Sequence, residues 1–553
     1  MEKGKEKLSN KYEVVLMIVS VVIILGMLVG FSVWPDQAVN IGSSVFHFMT
    51  YTFGSVMQFI AFIVIVFLVF LAFSKYGNIR FGNQKPQYKT MSWVAMMFFT
   101  GLGAGTVYWA FLEWGYHFQA APQLEGAGVS EAYAYEQAMA YAFYDWGPAA
   151  WALLCIFVLP FAYHYYIKKD EELRFGALCK YSLGEDRVNG WVGKVINFIF
   201  IFAAVGSICI SAGTSASTIA AAIASLLGIN SSFALMVIVL IGTAVLYSIS
   251  SLLGIEKGMR KISDWNVYFC LILLAFILIA GNTQYIIDSM VNGLGILTSD
   301  FFRMTLWTDP VARSRYPQDW TVFYLVYWLV FGPFTGLFVA KISRGRTIRE
   351  IIMNMLLTGS AGLFLFFGVV TGFQQGLRID GILDVPAMLA NGQSEQIATA
   401  TMTALPFPKI ALIIYLVVII LFLATTLDAT SFTLSSTITR KLKLNEEPSK
   451  KLKFVWCLLL VAIPIGIAYA GTNISTIKAI VLATGLPLLV ILVFIYHGFL
   501  REMIKDFGGK SKEEIIRVCT IGQPEVLTGI VMEDDTEETE TAADSAESDT
   551  AQK

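Results

Sequence analysis

The chain has 553 residues, of which 56% are hydrophobic and 14% charged, and its mean hydropathy is +0.65. This composition excludes a large soluble protein and is typical of a protein that crosses a membrane many times. The net charge of −2 says little by itself, but the placement of the basic residues along the chain is informative.

Apolar segments recur along the chain at lengths suited to a bilayer core of roughly 30 Å, which needs about 20 helical residues. The first segment is too long for the core of a signal peptide and lacks a small-residue cleavage site, so it is interpreted as a retained span. We therefore predict an all-α membrane protein with twelve transmembrane helices near residues 14–34, 51–73, 92–113, 142–167, 196–222, 232–253, 264–281, 320–341, 352–376, 408–435, 454–471 and 475–499.

Twelve spans place both termini on the same side of the membrane. With the N-terminus in the cytoplasm, all but six of the 39 Lys and Arg residues lie in the inner segments. Because cytoplasmic segments carry the excess of basic residues, we predict cytoplasmic termini in a multi-pass protein of the cell (plasma or inner) membrane. The six outer residues are Arg303, Arg313, Arg315, Arg378, Lys409 and Lys478.

The third span contains the run Gly101-Leu102-Gly103-Ala104-Gly105. Each glycine costs a helix about 1 kcal/mol relative to alanine, and glycines at alternate positions do not form one helical face. We therefore expect an unwound stretch here, although Gly101 and Gly105 also fit a small-residue helix contact. Glu113, at the outer end of this span, is more easily solvated than a carboxylate within a span, and we expect it to make a structural hydrogen bond.

Aromatic residues gather near the outer end of the third and fourth spans: Tyr116, and Trp146 and Trp151 on either side of Gly147-Pro148. The faces of aromatic rings attract quaternary ammonium groups, by roughly 2 kcal/mol when the group is desolvated. These residues therefore fit a cation-binding site, whereas an interfacial belt of Trp and Tyr is the structural alternative.

Residues 282–319 are too polar to cross the membrane, yet they place Tyr285, Met290 and Leu294 among other apolar residues at helical spacing. This pattern predicts an amphipathic helix that lies along the outer surface.

The eighth span begins with an aromatic stripe whose spacing of i, i+3, i+4, i+7, i+8 and i+11 gathers the rings on one helix face. Gly332-Pro333 and Gly336 follow, so we expect the helix to open there. Open backbone is tolerated in lipid only where it lines an enclosed cavity, so stripe and break together predict a site for a small cation. Packing of the stripe against other helices is the alternative. Its members are Trp320, Phe323, Tyr324, Tyr327, Trp328 and Phe331.

The third and eighth spans lie five spans apart. Because five is an odd number, the second block of helices would be inverted in the membrane relative to the first. Interrupted helices at matching positions of two five-helix blocks indicate inverted repeats, with a transport site between them at the midplane.

The tenth span places Thr425, Thr426 and Asp428 in its inner half. Adjacent hydroxyls in a membrane helix often bond the carbonyl four residues back, but they can also be ligands for sodium. Asp428 is costly in hydrocarbon and is expected to pair with a cation or with another helix.

The four histidines are scattered, and no nucleophile–base pair or metal spacing is evident, so an enzyme is not expected.

Four segments together resemble the betaine/carnitine/choline transporter family, and the resemblance extends over residues 10–505. They are DWTVFY through AKISRGRTIRE in and after the eighth span, GLGAG in the third, DWGPAAWA in the fourth and GIEKGMRKISD before the seventh. The resemblance implies two inverted five-helix repeats preceded by two extra helices. It also implies a homotrimer that transports trimethylammonium compounds by alternating access.

The resemblance also assigns site residues. Tyr327, Trp328 and Phe331 match the family's substrate cage, Trp146 and Trp151 its fourth-span tryptophans, and Tyr116 an aromatic of the carnitine branch. Thr425 and Thr426, with the backbone near Gly101 and Leu102, match the sodium site of sodium-coupled members. Many members have Trp at Leu325, Tyr327 and Phe331, and Tyr at Leu154, so the resemblance leaves the identity of the onium compound open.

Two positions bear on the coupling ion. Sodium-independent carnitine exchangers resemble this chain but carry Arg in place of Asn266, and proton-coupled choline carriers tend to have Asp in place of Gly105. Both differences favour sodium as the coupling ion.

The tail from 533 to 549 is acidic and expected to be disordered, and anionic lipid would repel it.

These observations predict a sodium-coupled importer of a trimethylammonium compound, with glycine betaine the leading candidate before carnitine and choline. The alternatives are a sodium-independent exchanger of carnitine-like compounds and a ligand-gated channel or receptor, although no span shows the repeated polar face of a pore. We expect membrane lipid as a partner, but neither a cofactor besides sodium nor a nucleic-acid partner. The predicted regions are 1–13 (cytoplasmic), 14–91 (two peripheral helices), 92–281 (first repeat), 282–319 (surface helix and loop), 320–500 (second repeat) and 501–553 (cytoplasmic tail, disordered after 532).

Overall fold

The fold was analysed in a computed structural model of the chain. It describes residues 12–170, 172, 174–253, 260–440, 442, 446–469 and 474–520. The predicted disordered tail therefore lies outside the described residues. The described segments fold into helices joined by turns and loops, which confirms the all-α prediction.

The helices vary from single turns to more than ten turns. In chain order they are α1 (Val14–Val33), α2 (Pro35–Phe73), α3 (Thr90–Thr100), α4 (Ala104–Glu125), α5 (Glu131–Trp146), α6 (Pro148–Ala162), α7 (Lys180–Leu183), α8 (Glu185–Asn189), α9 (Trp191–Leu227), α10 (Phe233–Leu253), α11 (Arg260–Ala280), α12 (Thr283–Leu306), α13 (Phe323–Ile342), α14 (Ile348–Met353), α15 (Ser360–Ile379), α16 (Val385–Ala390), α17 (Ile397–Thr403), α18 (Pro408–Ile438), α19 (Lys450–Tyr469), α20 (Ile474–Phe507) and α21 (Lys512–Val518). Wider π-helical turns occupy Tyr163–Ile167, Pro317–Val322 and Asn354–Gly359.

Several helices are long and apolar enough to cross a membrane, so the protein is a multi-pass membrane protein. Within the described residues seven helical stretches meet this condition, and the pair α11–α12, bent by 110°, forms an eighth if it is counted as one span. The number twelve and the repeat organisation stay predictions. The seven stretches are Pro35–Phe73, Glu131–Ile167, Trp191–Leu227, Pro317–Ile342, Ile348–Ile379, Pro408–Ile438 and Leu482–Phe507.

The two predicted helix breaks have different outcomes. The break in the third span is confirmed, because α3 ends at Thr100 and α4 begins at Ala104. The break at Gly332-Pro333 and Gly336 is wrong, because α13 continues through all three residues. A Cβ atom placed on Gly332 would lie 2.3 Å from Cδ2 of Phe157, so these glycines serve close packing of α13 on α6.

The predicted helix within 282–319 is present as α12. Its N-cap is Asn282, whose side-chain oxygen accepts a hydrogen bond from the Tyr285 amide at 3.1 Å. One face of α12 is buried at Ile286 and Leu297, while Val291 is 64% exposed, as expected of an amphipathic helix.

The start of α6 places the two fourth-span tryptophans. The chain turns at Gly147 and Pro148 opens α6, where the missing proline N–H would have no intrahelical acceptor. Trp146 is therefore the last residue of α5, and Trp151 lies one turn into α6. Both side chains are buried.

Candidate substrate site

Four predicted cage residues form one cluster of rings, which we call the cage: Trp146, Tyr327, Trp328 and Phe331. The centroid of the Trp328 ring lies 5.0 Å from that of Trp146, 5.2 Å from Tyr327 and 6.3 Å from Phe331. Nε1 of Trp328 donates a hydrogen bond of 2.7 Å to the carbonyl of Asp145. This bond fixes the indole of α13 against the end of α5.

The cage rings are in contact with one another. A cation bound to a ring face lies within about 6 Å of the ring centroid. The centroids of Tyr327 and Phe331 are only 4.7 Å apart, so a trimethylammonium group cannot enter between these rings. A trimethylammonium group could bind between Tyr327 and Phe331 only if these two rings separated.

The two other predicted cage residues lie elsewhere. The ring of Tyr116 is 5.4 Å from that of Trp320 and 6.4 Å from that of Trp109. The Trp151 ring lies against the α3–α4 break, where a Cβ atom placed on Gly101 would be 2.7 Å from Cζ2 of Trp151. The structure thus brings four of the six predicted residues together.

A cavity of about 1030 Å³ lies beside the cage, and Trp109, Tyr116 and Trp320 line it. Tyr324 stands between the cavity and the cage: its ring is 6.4 Å from Trp320 and 6.0 Å from Trp146. The aromatic stripe contains Trp320 and Tyr324, but no feature of the sequence separates these two residues from the cage residues. The structure places them in a row of rings that leads from the cavity to the cage.

The buried carboxylate of Glu113 holds two of these rings. Its Oε2 accepts hydrogen bonds from Nε1 of Trp146 at 2.7 Å and from the hydroxyl of Tyr324 at 2.5 Å. The expected structural hydrogen bonding of Glu113 is present, and the carboxylate is buried away from solvent, with an exposed fraction of 0%. Helix α5 and the aromatic stripe cover it.

Glu113, His117 and Asp145 form a compact, fully buried cluster. Nε2 of His117 lies 3.5 Å from Oε1 of Glu113 and 3.2 Å from Oδ2 of Asp145. Its Nδ1 shares a hydrogen bond of 2.8 Å with the hydroxyl of Tyr316. The sequence showed no metal spacing around the histidines, but Glu113 and His117 are four residues apart on α4 and form, with Asp145, a group that could hold a metal ion.

This cluster has polar atoms that the described residues leave unsatisfied. Oε1 of Glu113 and Oδ1 of Asp145 are buried without a hydrogen-bond donor there, and Oδ2 of Asp145 has only the His117 ring nitrogen close to it. No Lys or Arg of the described segments forms an ion pair with either carboxylate, and the three ligating groups lie within 4.8 Å of one another. Buried groups of this kind cluster at functional sites, and a shared proton or a cation would offset their charge.

The candidate sodium ligands are placed unequally. The hydroxyl of Thr425 donates to the carbonyls of Leu421 and Phe422, both at 3.0 Å, within its own helix. The hydroxyl of Thr426 faces the α3–α4 break, where a Cβ atom placed on Gly103 would lie 3.4 Å from it.

The backbone of the break is partly satisfied by a nearby hydroxyl. The Gly101 carbonyl accepts a hydrogen bond of 2.8 Å from the hydroxyl of Thr106, and Leu102 is buried between the two helices. Thr426 and this backbone therefore lie together.

Asn266 and Asp428 both make contacts between helices at α18. Asn266 packs on α18 from α11, whereas Asp428 is a residue of α18 itself. In the amide orientation that satisfies both of its polar atoms, Asn266 donates to the carbonyl of Val418 at 3.2 Å and accepts from the amide of Phe422 at 3.1 Å. Asp428 lies 3.7 Å from Nζ of Lys453 on α19, so it joins two helices by an ion pair.

Gly105 has no room for a carboxylate. A Cβ atom at this position would lie 2.7 Å from Oγ of Ser211 and 3.5 Å from the hydroxyl oxygen of Tyr327. An aspartate here would therefore displace Ser211 from the edge of the cage.

Known proteins resemble this chain over most of its length. The profile of the betaine/carnitine/choline family transporters matches residues 15–508. The uncharacterised transporter YeaV of Escherichia coli (strain K12) is 34% identical over 435 residues, which cover 79% of this chain and 90% of that protein. A carnitine transporter of Acinetobacter baumannii is 31% identical over 493 residues, 89% of each chain. The chain therefore belongs to the betaine/carnitine/choline transporter family, whose members are transporters and not enzymes.

Proposed function

We propose that this transporter imports a trimethylammonium compound by sodium symport and alternating access, with glycine betaine as the first candidate and carnitine and choline as the others. The observation that carries this proposal is the cage around Trp328. A trimethylammonium group has no proton to donate, so ring faces suit it better than carboxylates alone. The Acinetobacter relative, named as a carnitine transporter, supports a substrate of this class.

Alternating access is supported by the closed arrangement of the rings. The cavity and the cage share a row of aromatic rings, and Tyr324 lies at the point where the row passes from one to the other. We propose that substrate reaches the cage when Tyr324 moves away from Trp146. The hydrogen bond from Tyr324 to Glu113 would then break or rearrange.

Sodium coupling is supported by the α3–α4 break, which lies beside Thr426 of α18. It is also supported by Asn266, a neutral residue that packs against α18 as well. Hard oxygen atoms from a hydroxyl and from open backbone suit a small cation in a buried site. A second candidate function is sodium-independent exchange of carnitine-like compounds. It is favoured by one observation, that the Thr425 hydroxyl is already bonded within its helix.

We further propose a homotrimer in the cell membrane with both termini in the cytoplasm. The distribution of basic residues supports this orientation, and the trimer rests on the family resemblance.

The proposal is tested by counterflow of labelled betaine, carnitine and choline in proteoliposomes at a clamped membrane potential, with and without sodium. We expect saturable, sodium-dependent uptake of at least one compound and no competition by unmethylated glycine. Full exchange without sodium would replace symport by the exchanger function. Equal competition by glycine would show that the cage does not recognise the methylated cation.

A further inference from the structure

The cavity beside the cage contains a buried lysine. The side chain of Lys478 on α20 is only 8% exposed. Its Nζ lies 4.3 Å from the ring centroid of Trp320 and 4.3 Å from that of Phe323. Among the described residues its hydrogen-bond acceptor is the carbonyl of Asp319, at the long distance of 3.5 Å.

The lysine ammonium group has unused hydrogen-bonding capacity. An ammonium carries three donor hydrogens, and a carbonyl at 3.5 Å occupies at most one of them. Because Lys478 lines the cavity, its remaining donors are within reach of a molecule that enters there. A buried cation without a carboxylate partner is costly, which makes a functional role the first hypothesis.

The charges around the cavity favour a negatively charged group. Lys478, Arg315 and Asp319 all line it. Arg315 and Asp319 neutralise each other, with NH2 of the arginine 3.4 Å from Oδ1 of the aspartate. Asp319, Glu113 and Asp145 also attract the Lys478 ammonium, but none of them forms an ion pair with it among the described residues. A carboxylate that enters the cavity can therefore be the first to reach bonding distance of this ammonium.

We propose that Lys478 binds the carboxylate of a zwitterionic onium compound at the cavity and so selects carboxylated substrates over choline-like ones. This inference rests on the proposed function and names the substrate class within it. The methylated pole of the same molecule contacts the rings of Tyr116 and Trp109, which line the cavity. When the lysine ammonium moves toward the carboxylate, the face of Trp320 becomes available to the onium group as well.

The test compares inhibition of labelled betaine uptake by unlabelled betaine, carnitine and choline in proteoliposomes. Lys478→Met removes the charge, Lys478→Arg keeps it, and Lys409→Met removes an exposed lysine as a matched control. We expect Lys478→Met to raise the inhibition constants of betaine and carnitine about tenfold, since a charge-assisted hydrogen bond is lost. The constant for choline should stay equal or fall, Lys478→Arg should keep most of the discrimination, and Lys409→Met should change nothing.

A second measurement needs no mutation. The methyl ester of betaine keeps the trimethylammonium group but has no carboxylate charge, so it should compete with betaine about tenfold more weakly in the unmodified protein. Equal competition by the ester overturns the inference, even if the Lys478 variants fail to assemble. An equal loss of betaine and choline recognition in Lys478→Met also overturns it, because it shows a merely structural role.

The failure of this inference is distinguishable from that of the proposed function. If the unmodified protein transports onium compounds but treats betaine and its ester alike, only the role of Lys478 is wrong. If it transports none of the three compounds, both proposals are wrong.

Discussion

Two glycine-containing segments approach the cage, and they differ in what stands opposite them. Between α3 and α4 the helix is interrupted, and Gly103 faces the hydroxyl of Thr426. In α13 the helix is continuous, and Gly332 and Gly336 face the phenyl ring and backbone of Phe157. The same residue type therefore opens backbone in one place and admits a neighbouring helix in the other.

The surroundings explain the difference. An interrupted helix exposes N–H and C=O groups that need polar partners at membrane depth. Thr106 supplies such a partner at the α3–α4 break, since its hydroxyl donates to the Gly101 carbonyl. Phe157 offers none to α13, so that helix keeps its own hydrogen bonds apart from the one that Pro333, which has no N–H, cannot donate. We infer that α13 is a rigid support for the cage and that the break is the polar segment suited to an ion.

The largest expected effect concerns the ring that α13 supports. We expect Trp328→Leu to abolish saturable uptake of the proposed trimethylammonium substrate, and Trp328→Phe to keep part of it, because a phenyl face still attracts the cation. Initial uptake rates in proteoliposomes measure this. Trp191→Leu is the control, because Trp191 is 76% exposed. Normal transport by Trp328→Leu would mean that the ring serves packing alone.

The next effect concerns the tight contact of α13 with α6. A Cβ atom on Gly332 would lie 2.3 Å from the Phe157 ring and 2.8 Å from the Leu153 carbonyl, so Gly332→Ala forces the helices apart. We expect a loss of about 2 kcal/mol in folding free energy, as for other overpacked cores. The thermal midpoint of the purified protein should fall.

Gly376→Ala is the matched control for this stability measurement. At Gly376 of α15 an added Cβ atom meets only ordinary contact, at 3.7 Å from Cδ1 of Tyr285. A midpoint that is equal for Gly332→Ala and the unmodified protein would contradict the close α6–α13 contact.

The helical fold and the members of the cage follow from patterns that the sequence contains. Hydrophobic periodicity and composition identify apolar helices. Phe331 follows Trp328 by three residues and Tyr327 by four, so the three rings lie near one helix face. The break at Gly332 was predicted wrongly because the same pattern of glycine and proline occurs in an interrupted helix and in a continuous helix that packs closely against a residue such as Phe157. Only the tertiary neighbour decides between these outcomes.

The buried cluster was missed for a similar reason. The spacing of Glu113 and His117 is visible in the sequence, but Asp145 comes from another helix. The burial of Glu113 depends on Trp146 and Tyr324 closing over it. The position of a carboxylate near the end of a span does not reveal what covers it.

A smaller effect is expected at Glu113 on α4, the helix that begins at the α3–α4 break. Glu113 on α4 holds Trp146 and Tyr324 through charge-assisted hydrogen bonds, which a neutral amide makes more weakly. We expect Glu113→Gln to raise the KM for substrate about tenfold, with Glu136→Gln, an exposed residue of α5, as the control. An unchanged KM in assembled Glu113→Gln protein would show that the cage does not depend on this carboxylate.

The smallest effect separates two adjacent hydroxyls at the break. The hydroxyl of Thr426 faces Gly103, whereas that of Thr425 is bonded to two carbonyls of α18. If sodium binds at the break, Thr426→Ala removes a ligand and should raise the sodium concentration for half-maximal uptake several-fold. Thr425→Ala should raise it less, because that hydroxyl must first leave its carbonyl partners. The measurement is initial uptake rate against sodium concentration at a clamped membrane potential.

The converse change is Asn266→Arg, which supplies a tethered positive charge against α18 and should make uptake less dependent on sodium. Asn266 packs on Val418 and Phe422, and Phe422 lies about one helical turn before Thr425 and Thr426, so an arginine at this position would bring its charge close to that part of α18. Equal sodium dependence in Thr425→Ala, Thr426→Ala and the unmodified protein would place the coupling ion elsewhere. Sodium-independent exchange by the unmodified protein would remove the ion from the mechanism, and the α3–α4 break would then serve the movement of α4 against α18 rather than a ligand.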